Sequence, residues 1–233
     1  MQKIDGIMVT EHLLEIRYVA SGSFLDVRGN LADYIRETNL FPHWRIEENV
    51  IHFHDGAQGI VKDGAFVGYK NAGYICHNAE TYNYFEDKAT SYWSKLIKNK
   101  VFSIPTVTRF GVRTKVFLNS KSSFEDIKKA FIKTFYSENT IQIVGGNNKD
   151  VSISLDMSEG DFDYKITMGP THKSEAKNFF SFDSEYFEEC GVFIDIDFFI
   201  EKDVAKESVT KLIKKAMELK WEKINRISAS IGI

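Results

Sequence analysis

Three segments alternate apolar and polar residues over lengths that suit an extended strand and little else: "EHLLEIRYVA" (11–20), "TVTRFGVRTKVFLN" (106–119) and "ECGVFIDIDFFIE" (189–201). Side chains on a strand point alternately to its two faces, so a period of two sorts them into two sets. In the first segment Leu14, Ile16 and Tyr18 share one face, and Glu15 and Arg17 the other. In the second, Thr108, Phe110, Val112, Thr114 and Val116 oppose Arg109, Arg113 and Lys115. In the third, Asp195 and Asp197 oppose Ile194 and Ile196. A strand with one apolar and one polar side belongs to an antiparallel sheet covered on one face.

The intervening sequence reads as helices and shorter strands. Phe24, Val27, Leu31 and Ile35 form a helical stripe within 21–37, where Ser23 and Asp26 have the spacing of a capping box. Tyr82, Phe85, Ala89, Trp93 and Leu96 mark a long amphipathic helix over 78–99. Further helices are expected over 122–136, opening with Ser123 and Asp126, and over 202–225. "WRIEENVIHFHDG" reads as a strand with a turn, and 59–70 as a hairpin around Asp63-Gly64. Strands are expected at 140–145, 150–156 and 162–168. Strands and helices do not alternate singly, which disfavours a parallel βαβ fold. The expected class is α+β: a curved antiparallel sheet with long helices gathered on one side.

The order of elements repeats. Ser23-Phe24-x-Asp26-Val27 matches Ser123-Phe124-x-Asp126-Ile127 one hundred positions on, and Leu31 and Ile35 meet Phe131 and Phe135 at the same offset. "SKLIKN" (94–99) and "TKLIKK" (210–215) end the two long helices alike. We therefore expect an internal duplication of a β-α-βββ-α unit, TATA-binding-protein-like or helix-grip-like in topology, which says nothing about DNA. The halves would be 1–100 and 101–233, packed as one globular unit, with Phe24 over Phe124 and Leu96 over Leu212.

The totals exclude several function classes. A net charge of −3 does not favour a general nucleic-acid binder, although a local basic patch is compatible with it. The two cysteines, Cys76 and Cys190, form no C-x-x-C pair, which argues for reduced thiols in a cytoplasmic protein and against a thiolate zinc site. The N-terminus carries charges inside its apolar stretch, unlike a signal peptide, and no apolar run approaches the roughly 18 residues of a membrane span. No cofactor is expected.

His52-Phe53-His54-Asp55 places two imidazoles on one strand face, where both could reach a metal. Asp55 is followed by Gly56 and not by the histidine of a His-x-His-x-Asp-His site, so a polar strand face is the reading preferred. Asp195-x-Asp197 is how a two-metal nuclease or phosphotransfer site begins, but such a site needs a third acid, for which Glu15 is the candidate. "IVGGNNKD" (143–150) lacks a Walker pattern and suits a hairpin turn. Cys76 and His77 are adjacent, so on a strand they point apart and make no dyad. The lysines of the helices, Lys128, Lys129 and Lys133, then Lys211, Lys214, Lys215, Lys220 and Lys223, read as solvated faces.

"HLLEIRY", "VTRFGVRTKVFLN" and "VFIDIDFF" before a long closing helix resemble a sporadically distributed, functionally uncharacterised bacterial protein family. Arg109, Phe110, Gly111, Val112 and Arg113 fit its Arg-Phe-Gly-Val-Arg strand. Thr114 stands where that family favours Tyr, and an asparagine follows only at Asn119. The resemblance implies no activity and no catalytic residues; its patchy distribution implies an accessory role in mobile elements or phage conflict.

These observations lead to a non-enzymatic binding or interaction protein. Its surface would be the charged sheet face of Glu15, Arg17, Arg109, Arg113, Asp195 and Asp197, and its partner another protein or a second copy. The alternative is a metal-dependent nuclease or phosphotransfer enzyme built on Asp195 and Asp197.

Overall fold

The chain's structure, a computed structural model, describes residues 7–56 and 62–233. β1 (Met8–Tyr18) leads through α1 (Ser23–Glu37) into β2 (His43–Ile46), β3 (Val50–His54), β4 (Asp63–Gly68), β5 (Asn71–His77) and α2 (Tyr84–Lys98). The second run comprises β6 (Val107–Ser120), α3 (Phe124–Phe135), α4 (Glu138–Val144), β7 (Ile153–Glu159), β8 (Phe162–His172), α5 (Lys173–Phe179), β9 (Cys190–Ile200) and α6 (Val209–Ile231). All nine strands join one open antiparallel sheet in the order β2-β3-β4-β5-β1-β6-β9-β8-β7. The protein is thus α+β with an antiparallel sheet.

The alternation of the three long strands fixes which side is buried. Leu14, Ile16, Phe110, Val112, Ile194 and Ile196 are buried toward α2, α3 and α6. Fully burying one such side chain contributes about 1.5–3 kcal/mol, so slipping one strand by a residue would forfeit several at once. Buried aromatics on the helices carry polar tips that find partners: Tyr92 Oη donates to the Phe66 carbonyl at 2.8 Å, and Trp93 Nε1 to that of Lys206 at 2.8 Å. α3 begins on Ser123, whose Oγ accepts from the Asp126 amide at 3.2 Å and donates to its carboxylate at 2.6 Å. α6 ends at Gly232, whose φ of +75° is the left-handed conformation glycine adopts freely.

Several expectations are corrected. Residues 138–144 form α4 and not a strand at 140–145. Ser137 caps this helix by accepting from the Thr140 amide at 3.3 Å, and Gly145, at φ +70°, ends it, so the Gly-Gly run closes a helix and turns no hairpin. Asp63-Gly64 opens β4; the β4–β5 hairpin turns at Tyr69-Lys70, and 59–61 of the segment read as that hairpin lie outside the described residues. Ser23 does not cap α1; its Oγ lies 2.8 Å from that of Ser21. Two helix lysines are not solvated. Lys128 reaches Glu125 at 2.8 Å and the Asn148 carbonyl at 3.2 Å. Lys220 is 1% exposed, its Nζ 3.5 Å from the centroid of the Trp221 ring.

Among the described residues, the other face of the sheet carries a second small core at one end. α5 and the segment that follows it to β9 lay Ala176, Phe180 and Phe187 there on Val9, Phe117 and Phe193. No sequence signal pointed to this strap, because its phenylalanines follow no helical or strand period.

Candidate functional site

Beyond the strap, the helix-free face carries the charged residues of the three central strands. The register sets Arg17 opposite Arg109, Glu15 opposite Gly111, and Arg113 between Leu13 and Asp197. All six residues singled out by alternation meet here. Arg113 grips Asp195 with two hydrogen bonds, Nε to Oδ1 at 2.9 Å and Nη2 to Oδ2 at 2.6 Å. This charge-assisted fork holds the Arg113 guanidinium above its ordinary pKa. Arg109 is shared among Glu15 at 3.2 Å, Asp197 at 3.5 Å and Glu201 at 3.4 Å. Arg17 closes the row on Glu15 at 2.9 Å.

The glycine of Arg-Phe-Gly-Val-Arg has a local reason. Arg109 folds back along its own strand over Gly111 and stacks on Phe199 at 5.4 Å. A Cβ at Gly111 would stand 2.8 Å from Arg109 Nη1, in the space the guanidinium occupies. The strand thus presents one arginine flat on the sheet and the other, Arg113, 48% exposed.

Asp197 is the under-served carboxylate. Arg113 is committed to Asp195, and among the described residues the ion pair of Asp197 is the 3.5 Å contact with Arg109. Burial pushes its carboxyl above the ordinary range although both arginines pull it down. A cation or N–H donor arriving from outside would find an acceptor with spare capacity.

Where the face meets the strap, a second polar cluster appears that sequence reasoning missed. Glu11 binds Lys115 Nζ at 2.7 Å and receives both the amide of Ser181, at 2.7 Å, and its hydroxyl, at 2.5 Å. Burial raises the Glu11 pKa, but these donors outweigh it and hold the carboxyl below its ordinary range. His77 lies 3.0 Å from Ser181 Oγ and stacks on Phe182 at 4.6 Å. Glu11 was discoverable: it precedes Glu15 by four positions on the same strand and so shares its face.

The histidines go elsewhere. His52 and His54 share the open face of β3, but four strands separate β3 from β9, roughly 24 Å at ordinary strand spacing. His54 stacks on His43 at 5.4 Å, and His52 lies 3.5 Å from Glu47. Among the described residues no three His, Cys, Asp or Glu side chains converge in a way that could hold a metal ion. Two shallow depressions, of about 290 and 440 Å³, lie beside Lys173 and Lys177 and beside Pro105 and Asp203; none of the six charged residues lines either. No helix among the described residues is long and apolar enough to cross a membrane.

Chemically, the face offers fixed guanidinium groups and a carboxylate with spare acceptor capacity on rigid strands. No family model matches the chain, and no curated protein matches it either.

Proposed function

We propose that this chain is a non-enzymatic binding protein whose helix-free sheet face docks a protein segment carrying both signs of charge. The observation that carries this reading is the underpaired Asp197 beside the half-exposed Arg113. Charges of one sign would suit phosphate, but Glu15, Asp195, Asp197 and Glu201 interrupt the arginines and would repel a nucleic-acid backbone. Mixed signs suit an interface in which potentials complement each other. A metal-dependent nuclease would need a third acid beside Asp195 and Asp197, and Glu15 is instead engaged by Arg17 and Arg109. The resemblance of the Arg-Phe-Gly-Val-Arg strand suggests an accessory role in mobile elements or phage conflict, which neighbouring genes would test.

The same reading includes an internal duplication of a TATA-binding-protein-like or helix-grip-like unit. Outward from the central β1–β6 pair the order is β1, β5, β4, β3 on one side and β6, β9, β8, β7 on the other. Each side runs first strand, last strand, then backwards through the chain. The offset of 100 makes Leu13 equivalent to Arg113, and these two face each other across the β1–β6 ladder, as a twofold axis between halves requires. The extra β2, α4 and α5 are then insertions in one half or the other, and "TKLIKK", which opens α6 where "SKLIKN" closes α2, drops out of the match.

A photo-crosslinking amino acid placed at position 113, and separately at Lys133 on α3, tests the binding face. The proposal expects one protein adduct from position 113 and none from 133. Equal labelling from both, or stoichiometric manganese or zinc that Asp195→Asn removes, would overturn it.

A further inference from the structure

The sheet has two free edges of unequal character. β2 is four residues long and carries Arg45, which suits an edge that must not pair. β7 is seven residues long, pairs among the described residues only with β8, and presents Leu155 and Met157 at 45% and 47% exposure. Their cross-strand partners, Ile166 and Tyr164, are buried. Leu155 and Met157 thus extend the covered apolar side of the sheet past the point where the helices stop. A strand edge with unpaired backbone groups beside exposed apolar side chains is a template for another strand.

The sequence of β7 selects the occupant. Two copies meeting antiparallel about a twofold axis pair residues whose numbers have a constant sum, and side chains directly opposite share a face. Centred on Leu155, the ladder sets Leu155 against Leu155 of the second copy, Ile153 against Met157, and Ser154 against Asp156. Apolar side chains then meet on one side, hydroxyl meets carboxylate on the other, and no like charges are opposed. Centring on Asp156 would oppose two aspartates and put Ile153 against Glu159. Centring on Ser154 would keep only three residues of β7 in the ladder. We infer that the free edge of β7 docks a second copy of this chain, joining two nine-stranded sheets antiparallel about Leu155. The two charged faces then lie on the same side of one continuous sheet.

Sedimentation and mild oxidation of cysteine variants test this together. The wild type is expected to sediment as a dimer at micromolar concentration. Leu155→Cys should cross-link to a covalent dimer, and Asp156→Cys should not. Leu155→Lys, half exposed and so harmless to the fold, should weaken the dimer by about tenfold or more with an unchanged melting temperature. A monomer at every concentration, a dimer indifferent to Leu155→Lys, or cross-linking through position 156 in place of 155 would overturn the proposal. A monomer would leave the edge to the strand of some other protein.

Discussion

Lys220→Met is expected to stabilise this protein, and by an amount that depends on pH. The Lys220 amine is buried between α6 and the sheet, and its hydrogen-bond acceptor among the described residues is Met217 Sδ at 3.4 Å. Burial holds its pKa well below the ordinary lysine value, against the pull of Cys76 and Glu86. From the folded pKa up to about 10.4, the unfolded chain therefore binds one proton more than the folded chain. Wild-type stability then rises with pH through that window, by up to about 1.4 kcal/mol per unit, and Lys220→Met lacks this rise. At pH 7 the variant should be more stable by about 1–4 kcal/mol, since an apolar side chain replaces an amine that must be neutralised or left charged with no carboxylate at ion-pair distance among the described residues. Between pH 7 and 9 the gap should close by up to about 2.7 kcal/mol, two units at the single-proton slope. His12, also held below its ordinary range by burial, titrates beneath this window. Burial holds the Cys76 thiol far above this window, so it stays neutral in both folded proteins and only its unfolded form titrates here, equally in the two. Urea unfolding of the pair at pH 7, 8 and 9 gives the answer. A gap that ignores pH, or a variant less stable than wild type at pH 7, would mean that burial of the Lys220 amine does not set this stability.

Two glycines of the open face should behave differently in the same assay. Gly73→Ala brings a Cβ to 2.3 Å from the Leu14 carbonyl, which cannot move without its strand, and should cost about 2 kcal/mol or more; Gly111→Ala meets only the tip of Arg109 at 2.8 Å and should cost less than about 1 kcal/mol. Glu11→Gln should lose about 1–3 kcal/mol at pH 7, measured by denaturant midpoint. Because the folded Glu11 carboxyl lies below its ordinary 4.5, that difference should be fully present above this value and fade as pH falls through the folded pKa.

What was legible in the sequence followed from periodicity. The strict alternation in β1, β6 and β9 gave their faces, and with them the meeting of Arg109, Arg113, Asp195 and Asp197, because a period of two leaves no freedom once one side is buried. α4 reads as a strand for the same reason: Ile141 and Ile143 alternate with Thr140 and Gln142, while the local signals that decide the matter, the Ser137 cap and Gly145, are short. Lys220 was grouped with solvated lysines because charge outweighed position, although a spacing of three and four residues puts it on the stripe of Met217, Ala216 and Ile224. The strap over Val9 and Phe117 was invisible, since its placement depends on contacts about 170 residues apart, such as Ser181 with Glu11, that no local pattern encodes.

If the charged face serves recognition more than stability, Arg113→Ala separates the two. Arg113 is 48% exposed, so losing its pair with Asp195 should cost about 1 kcal/mol or less. The measurement is the denaturation midpoint of this variant together with its retention of whatever protein the wild type carries through purification. The midpoint should stay nearly unchanged and partner retention should fall at least tenfold. A variant that loses several kcal/mol of stability yet keeps its partner would contradict the recognition role, and would make the ladder a structural brace.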